Sequence, residues 1–552
     1  MGVIKATGTN GEEVDSGSRS PVVKECNSIL LKDNSSHQMD IQISEKGGMR
    51  RPPTEISMTT PSTIKEVDAY AIRNNHSHVR ISYDMVTGEY LYEVIEPRLS
   101  AEEDDIRKLL MRALILSLNA SPDPDPEYRK HIVNKAVDKL MVEFGLTLQS
   151  TSKDHITYYL HRDLIGYGAI DVMVNDPNIE DCSCVGVGIP MHVYHRKYGS
   201  IQANICYNDE TELDKYIIWL AQKCGKHISV AMPILDATLP DGSRLNATLG
   251  RYVTKRGSSF TIRRFNDEPL TPLDLITLNT MSIEMMAYLW ISVEYGYSTM
   301  VCGGTASGKT TTLNAVLLFI PPQMKIVSIE DTRELNLPHE NWIPSVTRDS
   351  SGRRSNEINM YDLLTAALRQ RPQYLMVGEV RGEEAKVVFQ AMATGHASYS
   401  TFHAEDVRSM VHRLENEPIN LPRALLSSLN LVLLQGQVKV DGKMTRRART
   451  LTEFVGMDSL TGELITNTVF RWNPTDDSFT YSGHSYLYEK VREIHNWSLR
   501  DMEDEVRRRM TILEYMIETR VDDYRHVARI VSAYYKNPDS VMDDVRATLD
   551  SL

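Results

Sequence analysis

The stretch Gly303-Gly304-Thr305-Ala306-Ser307-Gly308-Lys309-Thr310-Thr311 constrains this chain more than any other. It has the spacing G-x-x-x-x-G-K-T. Glycines at 303, 304 and 308 let the backbone curl until several N–H groups point at one anion. A helix opening near Lys309 adds its positive end. Lys309 can then reach the β- and γ-phosphates of a nucleotide, and the Thr310 hydroxyl can ligate Mg²⁺. Thr305, Ala306, Ser307 and Thr311 complete the candidate cradle. The loop follows the apolar run "STMV" and precedes "KTTTLNAVLLFI", so strand, loop and helix succeed one another. That unit belongs in an α/β sheet, with its ligand beyond the carboxyl ends of the strands.

The sequence around the loop keeps the same alternation. "VSIE", "YLMVG" and "YSTF" are short apolar runs separated by helical stretches, as in a parallel sheet buried on both faces. Nucleotide hydrolysis also needs a carboxylate near the metal and another near the attacking water. Glu379 ends one strand; Glu330, Asp331 and Glu334 follow another. Glu379 is assigned to Mg²⁺ or its water shell and Glu334 to the water, with the reverse assignment left open. His396 and His403 flank "ASYSTF", which suggests phosphate sensing or a domain contact.

At 552 residues the chain is too long for one core. Residues 1–60 are polar and aperiodic and read as a loosely ordered tail. Residues 61–150 read as a small α+β region, with a hairpin and a capping box at Ser100 and Glu103. Residues 151–268 read as an α+β domain and 269–280 as a linker. Residues 281–497 read as the nucleotide-binding domain with a hairpin-rich end, and 498–552 as a helical tail. A net charge of −13 argues against a nucleic-acid partner. No apolar run spans a bilayer and no signal peptide opens the chain, so a cytoplasmic protein without a transmembrane segment is expected. The six cysteines are scattered without a C-x-x-C pair, and Cys182 and Cys184 alternate onto one face of a short strand. Buried thiols are expected, not disulfides or a metal site.

The phosphate loop, E-D-x-x-E (Glu330 to Glu334), G-E-V-R (Gly378 to Arg381) and G-H…S-T-F-H occur in that order. As a set they resemble the secretion-superfamily ATPases of type II and IV secretion and type IV pili. "LPDGSRLNATL", "FTIRRF" and "GEVRGEEA" are most similar to the archaeal branch, and within it to the motor ATPases of the archaellum. The resemblance covers about residues 155 to 490. It implies a RecA-like ATPase domain preceded by α+β N-terminal domains, ATP and Mg²⁺ as cofactors, and a homohexamer. It further implies a polytopic membrane platform protein and a RecA-like regulatory subunit as partners, with the hexamer held at the inner face of the membrane through them. Family arginines that reach the γ-phosphate match Arg244 and Arg263, with Arg264 the adjacent alternative. Gln373 stands where the family often has Asp, and Phe402 where Leu is common. The zinc-binding tetracysteine module of some bacterial members is lacking, so no zinc is expected. An adhesion pilus or secretion ATPase is the near alternative. A nucleic-acid translocase and a binding-only regulator are the distant ones.

Overall fold

Alternating apolar and polar residues about a Thr-Gly turn pair β2 (Ser77–Asp84) with β3 (Glu89–Ile95), and β1 (Ile64–Ile72) lies along β2. The computed structural model describes residues 63–72, 76–117, 125–265, 268–348 and 358–549. The tail expected over residues 1–60 lies outside them. Three helices follow β3: Ala101–Ser117, Pro126–Glu143 and Ser150–Leu164. The first starts at the expected capping box, with Glu103 N–H donating to Ser100 Oγ (3.2 Å) and Ser100 N–H to Glu103 Oε2 (2.7 Å). Leu110, Leu114, Val137, Ile156 and Leu160 form a core of their own between these helices.

The chain then lays down β4 (Ile179–Cys184), β5 (Pro190–His195), β6 (Gly199–Cys206), the helix Glu210–Lys223, β7 (Ile234–Thr238), β8 (Arg244–Thr248) and β9 (Ser259–Arg263). Among the described residues β1 to β9 form one nine-stranded sheet, ordered β1-β2-β3-β6-β5-β4-β9-β8-β7. A single parallel pairing, Leu91–Gln202 and Tyr92–Ala203, joins β3 to β6. This corrects the expected boundary at 150: both segments share a sheet, and Ser150 opens the third helix of the helical core. Local patterning marks each strand but carries no record of a partner a hundred residues away. Cys182 and Cys184 are both buried on β4, as their alternation predicts.

Among the described residues a second nine-stranded sheet holds β10 (Thr299–Gly303), β11 (Ile326–Glu330), β12 (Trp342–Val346), β13 (Tyr374–Glu379), β14 (Ala397–Phe402), β15 (Leu431–Val440), β16 (Lys443–Met457), β17 (Leu464–Asn473) and β18 (Ser478–Tyr481). Its order is β12-β11-β13-β14-β10-β15-β16-β17-β18. Pairings from β12 to β15 are parallel, and those from β15 to β18 antiparallel. β10, β11 and β14 are buried at every residue. That burial explains why, apart from Glu330 at the end of β11, they carry no charged residue.

Two expected peripheral segments belong to this core. Residues 269–280 contain the helix Pro272–Thr277, opened by a Thr271–Asp274 capping box, and Leu273 and Leu275 are buried in the core. The expected tail forms the helices Leu499–Glu518, Tyr524–Lys536 and Pro538–Leu549, whose Ile512, Met516, Val527, Val531 and Val545 join the same cluster. Arg509, its side chain 2% exposed, donates to Glu505 (3.0 Å) and to Glu294 of the helix Ile283–Glu294. Trp290 stacks on Phe319 with ring centroids 4.9 Å apart and donates to Tyr535 Oη, which in turn donates to the Phe319 carbonyl. The C-terminal helices are thereby fastened to the end of the phosphate-loop helix.

Candidate active site

Five neighbouring strands, β11-β13-β14-β10-β15, bring chemistry to one edge of the second sheet. β11, β13, β14 and β10 contribute at or just beyond their carboxyl ends, as the parallel arrangement requires, and β15 contributes Gln435 from its middle. β10 leads into the loop, and the helix Lys309–Val316 begins immediately after Gly308. Gly308 has φ +90°, in the left-handed region where only glycine is unstrained. Gly303 is needed for close approach: a Cβ there would sit 2.2 Å from the Gln435 carbonyl oxygen. Ser307 is buried and its Oγ donates to Gly304 O (2.9 Å); Thr305 and Ala306 are exposed. Thr310 is half-buried and Thr311 exposed on the first turn of the helix.

Lys309 is buried, and its Nζ donates to Gly304 O at 2.9 Å. The same ammonium lies 3.4 Å from His403 Nδ1. Burial lowers the pKa of Lys309, while the Glu379 charge opposes the shift. His403 follows β14, and its Nε2 lies 2.8 Å from Glu379 Oε1. Burial and then the Lys309 charge push its pKa below the usual value, against the pull of Glu379. A neutral ring with Nδ1 facing the ammonium fits both contacts. Arg413 donates to the His403 carbonyl and lies over the Phe402 ring at 5.1 Å.

Glu379 is aimed by a bulge. The register between β13 and β14 shifts between Val377 and Glu379, and Thr401 Oγ1 donates to the Gly378 carbonyl at 2.7 Å. Arg381 binds Glu379 Oε2. Oε1 is buried, and its contact with His403 is not aligned as a hydrogen bond, so it has no hydrogen-bond partner among the described residues.

The acids after β11 divide their work. Glu330 is 2% exposed, and its Oε1 accepts the N–H groups of Glu334 (2.9 Å) and Leu335 (3.0 Å). Burial pushes its pKa up to about 7. Its Cγ lies 3.2 Å from where a Cβ on Gly378 would stand, so the glycine makes room for it. Glu330 is therefore a brace, and it presents Glu334 and Asp331, which are exposed.

Arg244 donates from Nε and Nη2 to Asp236 (3.2 and 2.7 Å), and the charges of Asp331 and Glu334 of its own chain also act on it. Arg263 stands opposite Arg244 in the β8–β9 register and is exposed; it lowers the pKa of Asp181, against the stronger effect of burial. Arg333 lies over Phe265 (5.8 Å) and Trp342 (5.4 Å), linking the end of the first sheet to the second.

Lys309, Glu379, His403, Glu334 and Arg244 are thus brought to one region. His396 is not. It precedes β14, with Nδ1 beside Thr394 Oγ1 (3.2 Å) and Ala391 O (3.3 Å), at the opposite end of a strand roughly 20 Å long. Sequence reasoning missed the brace role of Glu330 and the parts played by Asp236, Arg413 and Gln435. G-E-V-R flags Arg381, but no local pattern marks Arg413 or Gln435. Among the described residues no group of three or more His, Cys, Asp or Glu side chains is placed to hold a metal, and the cysteines there are free thiols.

The family model described as type II/IV secretion system protein matches residues 190–528. An uncharacterized protein of Methanocaldococcus jannaschii is 39% identical over 81% of this chain and 85% of its own length. The type IV secretion system protein PtlH of Bordetella pertussis is 31% identical over 35% of this chain and 64% of its own. Among solved structures, the Legionella pneumophila ATPase DotB is 19% identical, covering 63% of this chain and 91% of its own, with a TM-score of 0.37. The Brucella suis VirB11 ATPase of a type IV secretion system is 23% identical, covering 50% and 93%, with a TM-score of 0.26. With the family model spanning more than half of its length and the M. jannaschii relative matched over most of both chains, this chain belongs to the type II/IV secretion system protein family.

Proposed function

We propose that this protein is an ATP hydrolase that converts turnover into movement between its two sheets. The observation that carries the reading is the contact chain Lys309–His403–Glu379 at the mouth of the phosphate loop. Mg²⁺-ATP fits the donor set. The loop amides and Lys309 are suited to phosphate oxygens, while the Thr310 hydroxyl and the buried, unaligned Glu379 Oε1 are hard oxygen donors for the cation. Bound Mg²⁺-ATP supplies the phosphoanhydride and a divalent charge next to it. Lys309 neutralises charge on the β- and γ-oxygens. Glu334, held by Glu330, orients the attacking water and accepts its proton. Arg244 and Arg263 supply guanidinium charge to the transition state from the first sheet. His403, touching both Lys309 and Glu379, moves with either and so reports the state of the site.

The same reading makes the working form a homohexamer. Its motion passes to a polytopic membrane platform protein, and a RecA-like regulatory subunit attends it. No helix among the described residues is long and apolar enough to cross a membrane, which supports force transfer through a partner. The filament served is an archaeal type IV pilus-like one, the archaellum. The likeness to PtlH keeps a secretion machine, or an adhesion pilus, as the second reading. Phosphate release from purified wild type, lost in Lys309→Ala, tests the hydrolase. Absence of turnover in well-folded wild type with Mg²⁺-ATP overturns it. Deletion in the source organism separates the machines: loss of swimming with retained adhesion supports the archaellum, and retained swimming refutes it.

A further inference from the structure

The hairpin β15–β16 brings the phosphate loop a cation that no local sequence pattern announces. Gly303 pairs with Gln435 across β10 and β15, so β15 runs beside the loop. Gln437 and Arg446 are direct cross-strand partners, and their side chains leave the same face. Both converge on one acceptor, the Ala306 carbonyl, from Gln437 Nε2 at 3.1 Å and Arg446 Nε at 3.0 Å. Ala306 has φ +57°, a conformation that a non-glycine residue keeps only with support. Farther along the side chain, Arg446 Cδ lies 3.3 Å from where a Cβ on Gly308 would stand, at the cap of the helix Lys309–Val316. Nη1 and Nη2 of Arg446 have no partner among the described residues, and no carboxylate there pairs with it. A guanidinium at the positive end of a helix that also starts with a lysine is repelled by both, unless an anion occupies the space between them.

We propose that Arg446 is a phosphate-binding residue of the nucleotide site, acting within its own subunit. Nε holds Ala306 in place, and the terminal nitrogens take the phosphate chain of a nucleoside diphosphate or triphosphate. This deepens the hydrolase reading and rests on it. The contact is common to both nucleotides, so it sets affinity rather than the rate of cleavage. Gln437 steadies the same carbonyl without charge.

The test is the dissociation constant of a fluorescent ADP with full-length protein and Mg²⁺, measured over a range of salt, alongside turnover at saturating ATP. Arg446→Gln is expected to weaken ADP and ATP about tenfold or more, as for loss of a charge-assisted hydrogen bond. It should flatten the salt dependence of binding and raise the ATP concentration for half-maximal turnover by a larger factor than it lowers the saturated rate. Gln437→Ala should weaken binding no more than about threefold, a neutral contact being worth less. Arg446→Lys keeps the charge and should retain most of the affinity. Wild-type affinity in Arg446→Gln, or equal losses in Arg446→Gln, Arg446→Lys and Gln437→Ala, overturns the assignment and leaves the residue a loop support. Binding lost in Lys309→Ala but kept in Arg446→Gln overturns this assignment alone. Wild type that binds no nucleotide overturns the hydrolase reading and this inference together. Melting temperatures of each variant show whether a loss reflects folding.

Discussion

The two sheets have the same number of described strands and opposite designs. In the first, eight strand neighbours are joined by antiparallel pairings except for β3–β6, and edge strand β1 reads exposed over much of its length. In the second, six strands from β12 to β15 pair in parallel, and β10, β11 and β14 among them are buried at every residue. A parallel sheet gathers carboxyl ends along one edge, so loops distant in sequence meet there; His403 touches Lys309 across 94 positions. An antiparallel sheet sends successive strand ends to opposite edges. It concentrates side chains where one strand ends and its neighbour begins, as at Arg244 and Arg263. The second sheet can therefore build a whole phosphate site, and the first can lend it charges from one corner. That division suits a motor, because altering the contact between sheets changes the charge around the site without dismantling it.

The sharpest way to break this comparison is to remove the cation of the second sheet. Lys309→Ala is expected to abolish measurable phosphate release, because no other ammonium among the described residues contacts His403 and the loop carbonyl together. Residual turnover above about one-thousandth of wild type would show that the first sheet supplies more than charge.

Next in size are the arginines of the first sheet. Arg244→Ala and Arg263→Ala should each cut saturated turnover on the order of 10³-fold while nucleotide binding falls far less. Mixing with Glu334→Gln subunits distinguishes them. Arg244 already lies in the field of its own Glu334, so the Arg244→Ala mixture should stay inactive. Arg263→Ala mixed with Glu334→Gln should recover activity if Arg263 serves a neighbour. No recovery in a verified mixed ring assigns both arginines to their own subunit.

A third test concerns what anchors the second sheet. Arg509→Ala leaves the partly buried Glu294 and Glu505 without their guanidinium, Glu505 keeping the Tyr534 hydroxyl, and is expected to lower unfolding stability by at most about 3–5 kcal/mol in denaturant titrations. Arg509→Met, which fills the space, should cost less if the loss comes from stranded charge. Equal losses would point to packing against Trp290 instead.

The smallest effect is a pH dependence. Glu330 in the folded protein has its pKa raised to about 7, from 4.5. The folded state therefore holds a proton that the unfolded chain releases, and stability from this group is full below about pH 4.5 and declines as pH rises toward 7. Glu330→Gln should remove that decline, worth about 3 kcal/mol at most. Its melting temperature should exceed wild type at pH 8 and match it near pH 5. A gap that does not change with pH would mean that the carboxyl is charged throughout.

The phosphate loop, the acids at the ends of β11 and β13 and the parallel class of the second sheet were legible from residues 299 to 403 alone. Each is a short segment whose chemistry and burial leave few alternatives: glycines where the backbone must curl, apolar runs where both faces are covered. What neighbours do was not legible. Periodicity reports that a face is buried, not what covers it, so β3 gave no sign of pairing with β6, and the last helices looked like a tail until Ile512 and Val527 were seen in the core. His396 and His403 looked equivalent as flanks of one strand, and only the direction of β14 separates them. Glu330 and Glu334 share a motif, yet backbone amides fold around the first and leave the second exposed. Arg446 is an ordinary hairpin residue until the β15–β16 register sets it against Ala306. Sequence alone settled which groups the chain carries and which local backbone each requires. Tertiary structure decided which of them meet, because those contacts join segments whose patterns are independent of one another and depend on strand order, direction and register.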